Sequence, residues 1–324
     1  MNALELRKHT LLHTTADSYA PSDFTDFWQE TLHQAEQRPM RSVRKLVNTP
    51  YPYMKVYDVT YEGFDETPIH GWFIVPAVER YDGKPVPCVL QVHGYTGSRG
   101  MPEDYAMFVL MGYAVFAIDI RGQGGDTGNE LPLTSGMVRG WITQGITDPK
   151  QCYYRAVAVD AWRAFKWLCE QPEVDAARIA AAGSSQGGGL ALLLASLEKN
   201  IAAVVAGVPN LCHMDYALMH SAGSISEASD YVARHPERLE QVIRTLSYFD
   251  LLHHAHLITQ PVLMSVSWKD PICLPETIYA VYNRMTSPKR ILDYPFSGHE
   301  NGGGYVRNVA VFLKEHLGTA NGFA

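Results

Sequence analysis

Cysteine is scarce in this sequence. Its 324 residues contain five, Cys88, Cys152, Cys169, Cys212 and Cys273, odd in number, far apart and with no C-x-x-C pair. This spacing argues against a disulfide framework and favours a reduced compartment. Cys88 and Cys169 lie in apolar segments and are expected in the core. Long apolar runs are missing as well, since none approaches the roughly 20 residues that cross a bilayer. The opening Met1-Asn2-Ala3-Leu4-Glu5-Leu6-Arg7-Lys8-His9 has no basic start followed by an apolar core and a small-residue cleavage site, so no secretory leader is expected. Charge of one sign does not accumulate. Lys and Arg number 27 and Asp and Glu 34, a formal net charge of −7 spread along the chain, which mainly favours solubility. Without a basic run or an aromatic–basic ladder, neither nucleic acid nor membrane is an expected partner. The expectation is a soluble cytoplasmic protein.

Several cofactor motifs are also absent. Gly122-Gln123-Gly124-Gly125-Asp126-Thr127-Gly128 lacks G-x-G-x-x-G spacing, and the stretch 183–189 lacks the Lys-Ser/Thr of a phosphate loop. His253, His254 and His256 form no H-E-x-x-H pattern and have no nearby cysteine, so they read as a turn before a strand. No cofactor and no metal is expected.

What is present is an ordinary globular composition, 46% hydrophobic and 19% charged. The chain is long enough for a large core, and a single domain spanning 1–324 is expected. Residues 1–50 read as an N-terminal extension, with an amphipathic helix over 21–37 for which Ser22 is the candidate N-cap. From Met54 a loose alternation of apolar residues, interrupted at Gly63 and Asp65, predicts an antiparallel hairpin. After the loop Tyr81-Asp82-Gly83-Lys84-Pro85 the strands become continuously apolar, at 88–92, 113–118, 201–206, 262–266 and 290–294. Such runs suit strands buried on both faces. Helical stretches at 105–111, 154–170, 190–198, 276–285 and 306–317 alternate with them, which predicts an α/β fold with a mostly parallel, doubly wound sheet. Two segments break the alternation. Residues 124–152 are rich in Gly, Thr and polar side chains, and 210–248 read as a helical insertion with helices at 227–235 and 236–246. Both leave from strand ends, where chemistry gathers in such sheets, so both are expected to wall a site.

The chain is organised around Gly183-Ser184-Ser185-Gln186-Gly187, between a short apolar run and a Leu/Ala-rich helical stretch. A serine on a sharp strand-to-helix turn needs small neighbours on both sides, which is what G-x-S-x-G supplies. The frame selects Ser185, because Ser184 would need glycine where Ala182 and Gln186 stand. A serine hydroxyl needs a base and a group that orients the base, and in this arrangement the acid and then the histidine follow the serine in the chain. His299 lies in a loop after the last apolar run, whereas His316, the other downstream histidine, sits near a helix end. Among Asp215, Asp230, Asp250, Asp270 and Asp293, only Asp270 directly follows a strand at the expected place. The backbone N–H groups of Gln186 and Tyr95 are the expected donors to a developing oxyanion.

Arg121-Gly122-Gln123, Gly183-Ser184-Ser185-Gln186-Gly187 and His299-Glu300 occur in that order, and this triple resembles the signature of carbohydrate esterase family seven. That family holds the acetyl xylan esterases and cephalosporin C deacetylases. Phe24, Phe27-Trp28, Tyr57-Asp58-Val59-Thr60-Tyr61, Tyr153-Tyr154-Arg155 and Val174-Asp175 extend the resemblance over nearly the whole chain. It implies an α/β-hydrolase fold, cofactor-free removal of acetyl groups from small acetylated sugars, and a ring-like homo-hexamer. It also implies Ser185, Asp270 and His299 as catalytic, the Tyr95 and Gln186 N–H groups as oxyanion hole, and Arg121 and Gln123 as site support. The chain departs from the pattern at Pro209-Asn210-Leu211, where Phe usually follows Pro, and at Asp270-Pro271, usually Asp-Asn. Both positions are expected beside the acyl or alcohol pocket, with Tyr95 and Leu211 closing the acyl end. A dienelactone hydrolase, a general small-ester esterase and an inactive binding scaffold are the alternatives.

Overall fold

The computed structural model describes residues 1–77, 84–134, 136–137 and 139–319. Helices α1 (Ala3–Leu12) and α2 (Phe24–Glu36) come first, then strands β1 (Ser42–Val47), β2 (Met54–Glu62) and β3 (Pro68–Pro76). Strand and helix then alternate through β4 (Val86–Val92), α3 (Ala106–Leu110), β5 (Ala114–Ile118), α4 (Tyr153–Cys169), β6 (Val174–Ser184), α5 (Gln186–Leu197) and β7 (Ala203–Gly207). Four helices interrupt, α6 (Met214–His220), α7 (Ile225–Arg234), α8 (Leu239–Ser247) and α9 (Leu251–His254). The chain closes with β8 (Val262–Ser267), α10 (Pro275–Arg284), β9 (Lys289–Tyr294) and α11 (Tyr305–Leu317).

These strands form one nine-stranded sheet in the order β1-β2-β3-β5-β4-β6-β7-β8-β9. Pairing is antiparallel from β1 to the β3–β5 contact and parallel from there on. The apolar runs explain the parallel part: β5, β7 and β8 are buried at every residue, covered by helices on both faces. One face packs against α4, α5 and α10; the other packs against α3 and α11 through Phe108, Val309, Phe312 and Leu313. From β4 the chain steps to β5 on one side and to β6 on the other, so the crevice of a doubly wound sheet opens at the carboxyl ends of β4 and β6.

The N-terminal helices are bonded onto this body. The Arg163 guanidinium on α4 donates to the carbonyls of Glu62 (2.7 Å), Ala35 (2.8 Å) and Pro39 (2.8 Å), satisfying acceptors at the end of α2. Trp28 Nε1 donates to the Tyr248 carbonyl at 3.0 Å. The expected cap of α2 is corrected: Asp23, not Ser22, holds the cap position and makes no side-chain cap bond. Its carboxylate is taken by the Tyr248 hydroxyl at 2.6 Å and by Arg244. Two elements lay outside the sequence reading. Helix α1 docks on α10 and β9, where Arg7 meets Glu276 and Lys8 meets Asp293 and Tyr279. Strand β1 lies almost wholly exposed and shows no apolar alternation, so its order comes from its ladder with β2. The insertion carries α6 as well as the two predicted helices. Of the predicted loop 81–85, residues 81–83 lie outside the described residues.

Candidate active site

Between β6 and α5 stands Ser185, with φ 57° and ψ −123°, a region that a non-glycine residue enters only under constraint. The constraint is visible on both sides. Ser185 N–H donates to the Gly207 carbonyl at 2.8 Å, and the Ser185 carbonyl accepts from Gly189 N–H (3.0 Å) and Asn210 N–H (2.9 Å). A Cβ at Gly183 would lie 2.4 Å from the Gly187 carbonyl carbon, and one at Gly187 would lie 2.1 Å from the Val92 carbonyl oxygen. Both glycines are therefore required by close backbone approach.

The elbow aims the Ser185 hydroxyl at His299. Nε2 of His299 lies 2.9 Å from Ser185 Oγ, and its Nδ1 lies 2.7 Å from Asp270 Oδ2. The Asp270 side chain is fully buried, and its other oxygen accepts the N–H groups of Ile272 (2.8 Å) and Cys273 (3.0 Å). A carboxylate held by two N–H donors is fixed as an acceptor, so it selects the tautomer with a proton on Nδ1 and leaves the Nε2 lone pair facing the serine. The histidine loop is pinned in turn. Asn301 Nδ2 donates to Ser184 Oγ (3.0 Å), and its Oδ1 accepts from Ser265 Oγ (2.5 Å), itself bonded to Val208 N–H (2.9 Å).

The remaining acids go elsewhere. Asp250 is fully buried and accepts from the N–H groups of His213 (2.8 Å), Met214 (2.6 Å) and Leu252 (2.9 Å) and from the Tyr19 hydroxyl (2.5 Å). It is a structural hub, and burial pushes its carboxyl above the ordinary value despite these donors. Asp293 accepts from Trp268 Nε1 (2.8 Å) and the Tyr279 hydroxyl (2.6 Å). The Lys269 ammonium sits over the Phe296 ring, 5.5 Å from its centroid, rather than on Asp270.

The loop after β4 lies against the elbow: a Cβ at Gly94 would be 3.7 Å from the Ser185 Cβ. The N–H groups of Tyr95 and Gln186 have no acceptor among the described residues. Gln123 ties their two loops together. Its Oε1 accepts Thr96 N–H at 2.9 Å, and its amide pairs reciprocally with that of Gln186 at 3.1 and 3.2 Å. Its Nε2 also donates to the Tyr153 hydroxyl at 3.0 Å. Arg121 is fully buried. It grips Asp160 with Nε and Nη2 (2.6 and 2.8 Å), reaches Asp65 with Nη1 (3.1 Å), and its own carbonyl accepts from Tyr153. His93 is a strut: Ile120 N–H donates to its Nε2 at 2.8 Å, and burial lowers its pKa, favouring the neutral ring.

A cleft of about 300 Å³ opens over Ser185 and His299, lined also by Gly94, Tyr95, Asn210, Gly223, Ser224 and Ile272. The insertion thus supplies part of its wall. Segment 124–152 reaches it indirectly: Trp141 N–H donates to the Tyr95 hydroxyl (2.9 Å), which donates to Glu227 on α7 (2.6 Å). One expectation is corrected. Leu211 is fully buried and packs toward Gly189 of α5, away from the cleft, because φ of 61° turns it inward. Asn210 takes the wall instead, its Nδ2 on Ser224 Oγ at 3.1 Å. Sequence reasoning missed Asn301, Asp160, Ser224, Glu227 and the Gln186 side chain. Of these, only Asn301 carried a signal, its place two residues after His299.

A sequence profile of the acetyl xylan esterase family matches residues 1–317. An acetyl xylan esterase from Paenibacillus sp. R4 superimposes with a TM-score of 0.92 at 36% identity, covering 98% of this chain and all of that one. Acetyl xylan esterase 1 from Thermoanaerobacterium sp. gives a TM-score of 0.88 at 30% identity, over 97% of this chain and 98% of that one. Acetyl esterase Axe7A of Xylanibacter ruminicola is 28% identical over 291 residues, 86% of this chain, which spans only 63% of that relative's length.

Proposed function

The chain belongs to the acetyl xylan esterase family, with its α/β-hydrolase fold, and from that premise we propose that it is a serine carboxylic-ester hydrolase removing O-acetyl groups from small carbohydrates. The observation that carries the reading is the relay from Ser185 Oγ through His299 to Asp270, at 2.9 and 2.7 Å, on a strained elbow. Ser185 Oγ attacks the acetyl carbonyl while His299 Nε2 takes its proton. The oxyanion faces the N–H groups of Tyr95 and Gln186. Collapse expels the sugar oxygen, which receives the proton from His299 and leaves as the free hydroxyl. Water then attacks the acetyl-enzyme, giving its proton to His299, and acetate departs as Ser185 is reprotonated. Asp270 keeps the imidazole oriented and stabilises its cationic form. Arg121 and Gln123 position the loops and touch no reacting atom.

The same proposal takes residues 1–324 as one catalytic domain, with an extension at 1–50 and a cap at 210–248. A cytoplasmic setting, a ring-like homo-hexamer and cephalosporin C as a further substrate rest on family resemblance. Among the described residues no helix is long and apolar enough to cross a membrane.

The test is a panel of acetylated xylo-oligosaccharides, glucose pentaacetate, cephalosporin C and nitrophenyl esters of rising chain length, run with Ser185→Ala as control. Acetate should exceed butyrate in kcat/KM by at least roughly tenfold, about 1.4 kcal/mol in the barrier. Equal rates on acetate and octanoate would instead make this a general esterase, and a folded, active Ser185→Ala would remove the mechanism.

A further inference from the structure

Three residues beyond Asp270 lies a thiol that the hydrolytic reaction does not use. Cys273 is buried, 2% exposed, and its backbone N–H is one of the two donors to Asp270. Its Sγ, a ring nitrogen of His299 and a carboxylate oxygen of Asp270 all lie within 4.8 Å of one another. The buried Cys212 nearby spends its thiol on the carbonyls of Pro209 and Asn210. Cys273 has no such carbonyl acceptor among the described residues. Burial, aided by the Asp270 charge, pushes its thiol well above the usual range, while the Ser185 hydroxyl works slightly against them. The resting site therefore holds a neutral, polarisable sulfur beside the relay.

We propose that Cys273 Sγ and His299 Nε2 chelate a thiophilic divalent cation, Zn²⁺ or Cd²⁺, and that this ion inhibits the hydrolase reversibly; the proposal rests on the Ser185–His299–Asp270 reading above. A histidine that binds zinc commonly gives its other ring N–H to a carboxylate, which fixes the ring and raises its basicity. His299 already has that arrangement, with Nδ1 on Asp270 and Nε2 turned to the Ser185 hydroxyl, the position an ion would take. Zinc takes sulfur at about 2.3 Å and imidazole nitrogen at about 2.0–2.1 Å, so the two donors around one tetrahedral ion lie roughly 3.5 Å apart. Sγ and a His299 ring nitrogen lie within 4.8 Å of one another, so side-chain rotation must bring Sγ and Nε2 to that separation as the ion binds. Ser185 Oγ, 2.9 Å from Nε2, offers a third donor, and water completes the shell. Asp270 stays on Nδ1 as the orienting group. On binding, the Cys273 thiol gives its proton to solvent and the thiolate takes the ion. Nε2 loses the lone pair that would accept the serine proton, so attack stops until a chelator removes the metal.

The experiment uses the full chain in metal-free buffer, with nitrophenyl acetate hydrolysis followed against Zn²⁺ and Cd²⁺. Each protein is scored against its own uninhibited rate. The expected result is inhibition of wild type that EDTA reverses, and a half-inhibiting concentration at least about tenfold higher in Cys273→Ser and Cys273→Ala, as loss of a site-building group usually gives. Cd²⁺ should add a thiolate charge-transfer band in the ultraviolet that is missing in Cys273→Ala but kept in Cys212→Ser and Ser185→Ala. Equal half-inhibiting concentrations in wild type and Cys273→Ala, or a band independent of Cys273, would overturn the proposal. The band in Ser185→Ala reports metal binding without turnover, so an active Ser185→Ala would sink the relay while an unshifted titration would sink only the metal site. If the cysteine variants do not fold, Cd²⁺ must still protect wild-type Ser185 from a fluorophosphonate, and unprotected labelling at saturating metal refutes the idea.

Discussion

Gln123→Leu isolates what the amide bridge between the Tyr95 and Gln186 loops, the proposed oxyanion hole, contributes. Leucine fills similar volume but leaves the Thr96 N–H without its 2.9 Å acceptor and breaks the paired amides at Gln186, which is wholly buried. Each buried polar group left unpaired costs about 1–3 kcal/mol. Two of them make a stability loss of about 2–6 kcal/mol, while the Tyr153 hydroxyl keeps its bond to the Arg121 carbonyl. The catalytic effect has a ceiling. Losing one oxyanion donor outright costs about 10²–10³ in kcat. Here the donors remain but the peptide next to Tyr95 is freed, so a fall of about tenfold to a hundredfold is expected. Gln123 does not line the cleft, so KM should stay within about threefold. The assay is kcat and KM on nitrophenyl acetate well below the unfolding temperature, with active sites counted by fluorophosphonate titration. Gln123→Glu keeps an acceptor for Thr96 N–H and should recover most of the loss, which general destabilisation would not predict. Wild-type kcat in a folded Gln123→Leu protein, or an effect wholly in KM, would refute the bridge.

Asp270→Asn should lose most of the turnover, as much as about 10⁴-fold, with the fold retained, because the tautomer of His299 is no longer held. Asp250→Asn should do the reverse, since an amide cannot accept all four of its donors: lower unfolding free energy, but near-normal kcat per titrated site. If Asp250→Asn is the crippled enzyme and Asp270→Asn works, the acid is misassigned. Acid stability should follow His254, whose pKa burial lowers to about 3, with His253 lowered to about 4 in the same direction. A folded pKa below the unfolded value near 6.5 means that the unfolded chain binds more protons, so stability is full above about pH 6.5 and lost as pH falls toward 3. For His254 alone that is on the order of 2 kcal/mol between pH 6.5 and 5, read by urea unfolding at both values; an unchanged slope in His254→Gln would contradict it.

The sequence by itself determined the elbow and the order of the relay. Gly183, Ser185 and Gly187 are chosen by contacts among near neighbours and one adjacent strand, so the requirement is written within five residues. The continuously apolar runs likewise fixed which strands are covered on both faces, and Asp270 and His299 followed as strand-end residues in the right order. Tertiary structure decided the rest, because it joins residues with no common local pattern. It set Asp250 among three N–H groups and the Tyr19 hydroxyl, while Asp270 meets two N–H groups and His299. Arg121 finds Asp160 and Gln123 finds Gln186 across 39 and 63 residues, and no periodicity reports a buried polar pair. Strand β1 exists because β2 offers it a ladder, not because its residues alternate. The turn at Leu211, with φ of 61°, sends that side chain into the core and leaves Asn210 on the wall. Cys273 belongs to no motif in the sequence, and only the return of the His299 loop across the end of β8 sets its sulfur beside the relay.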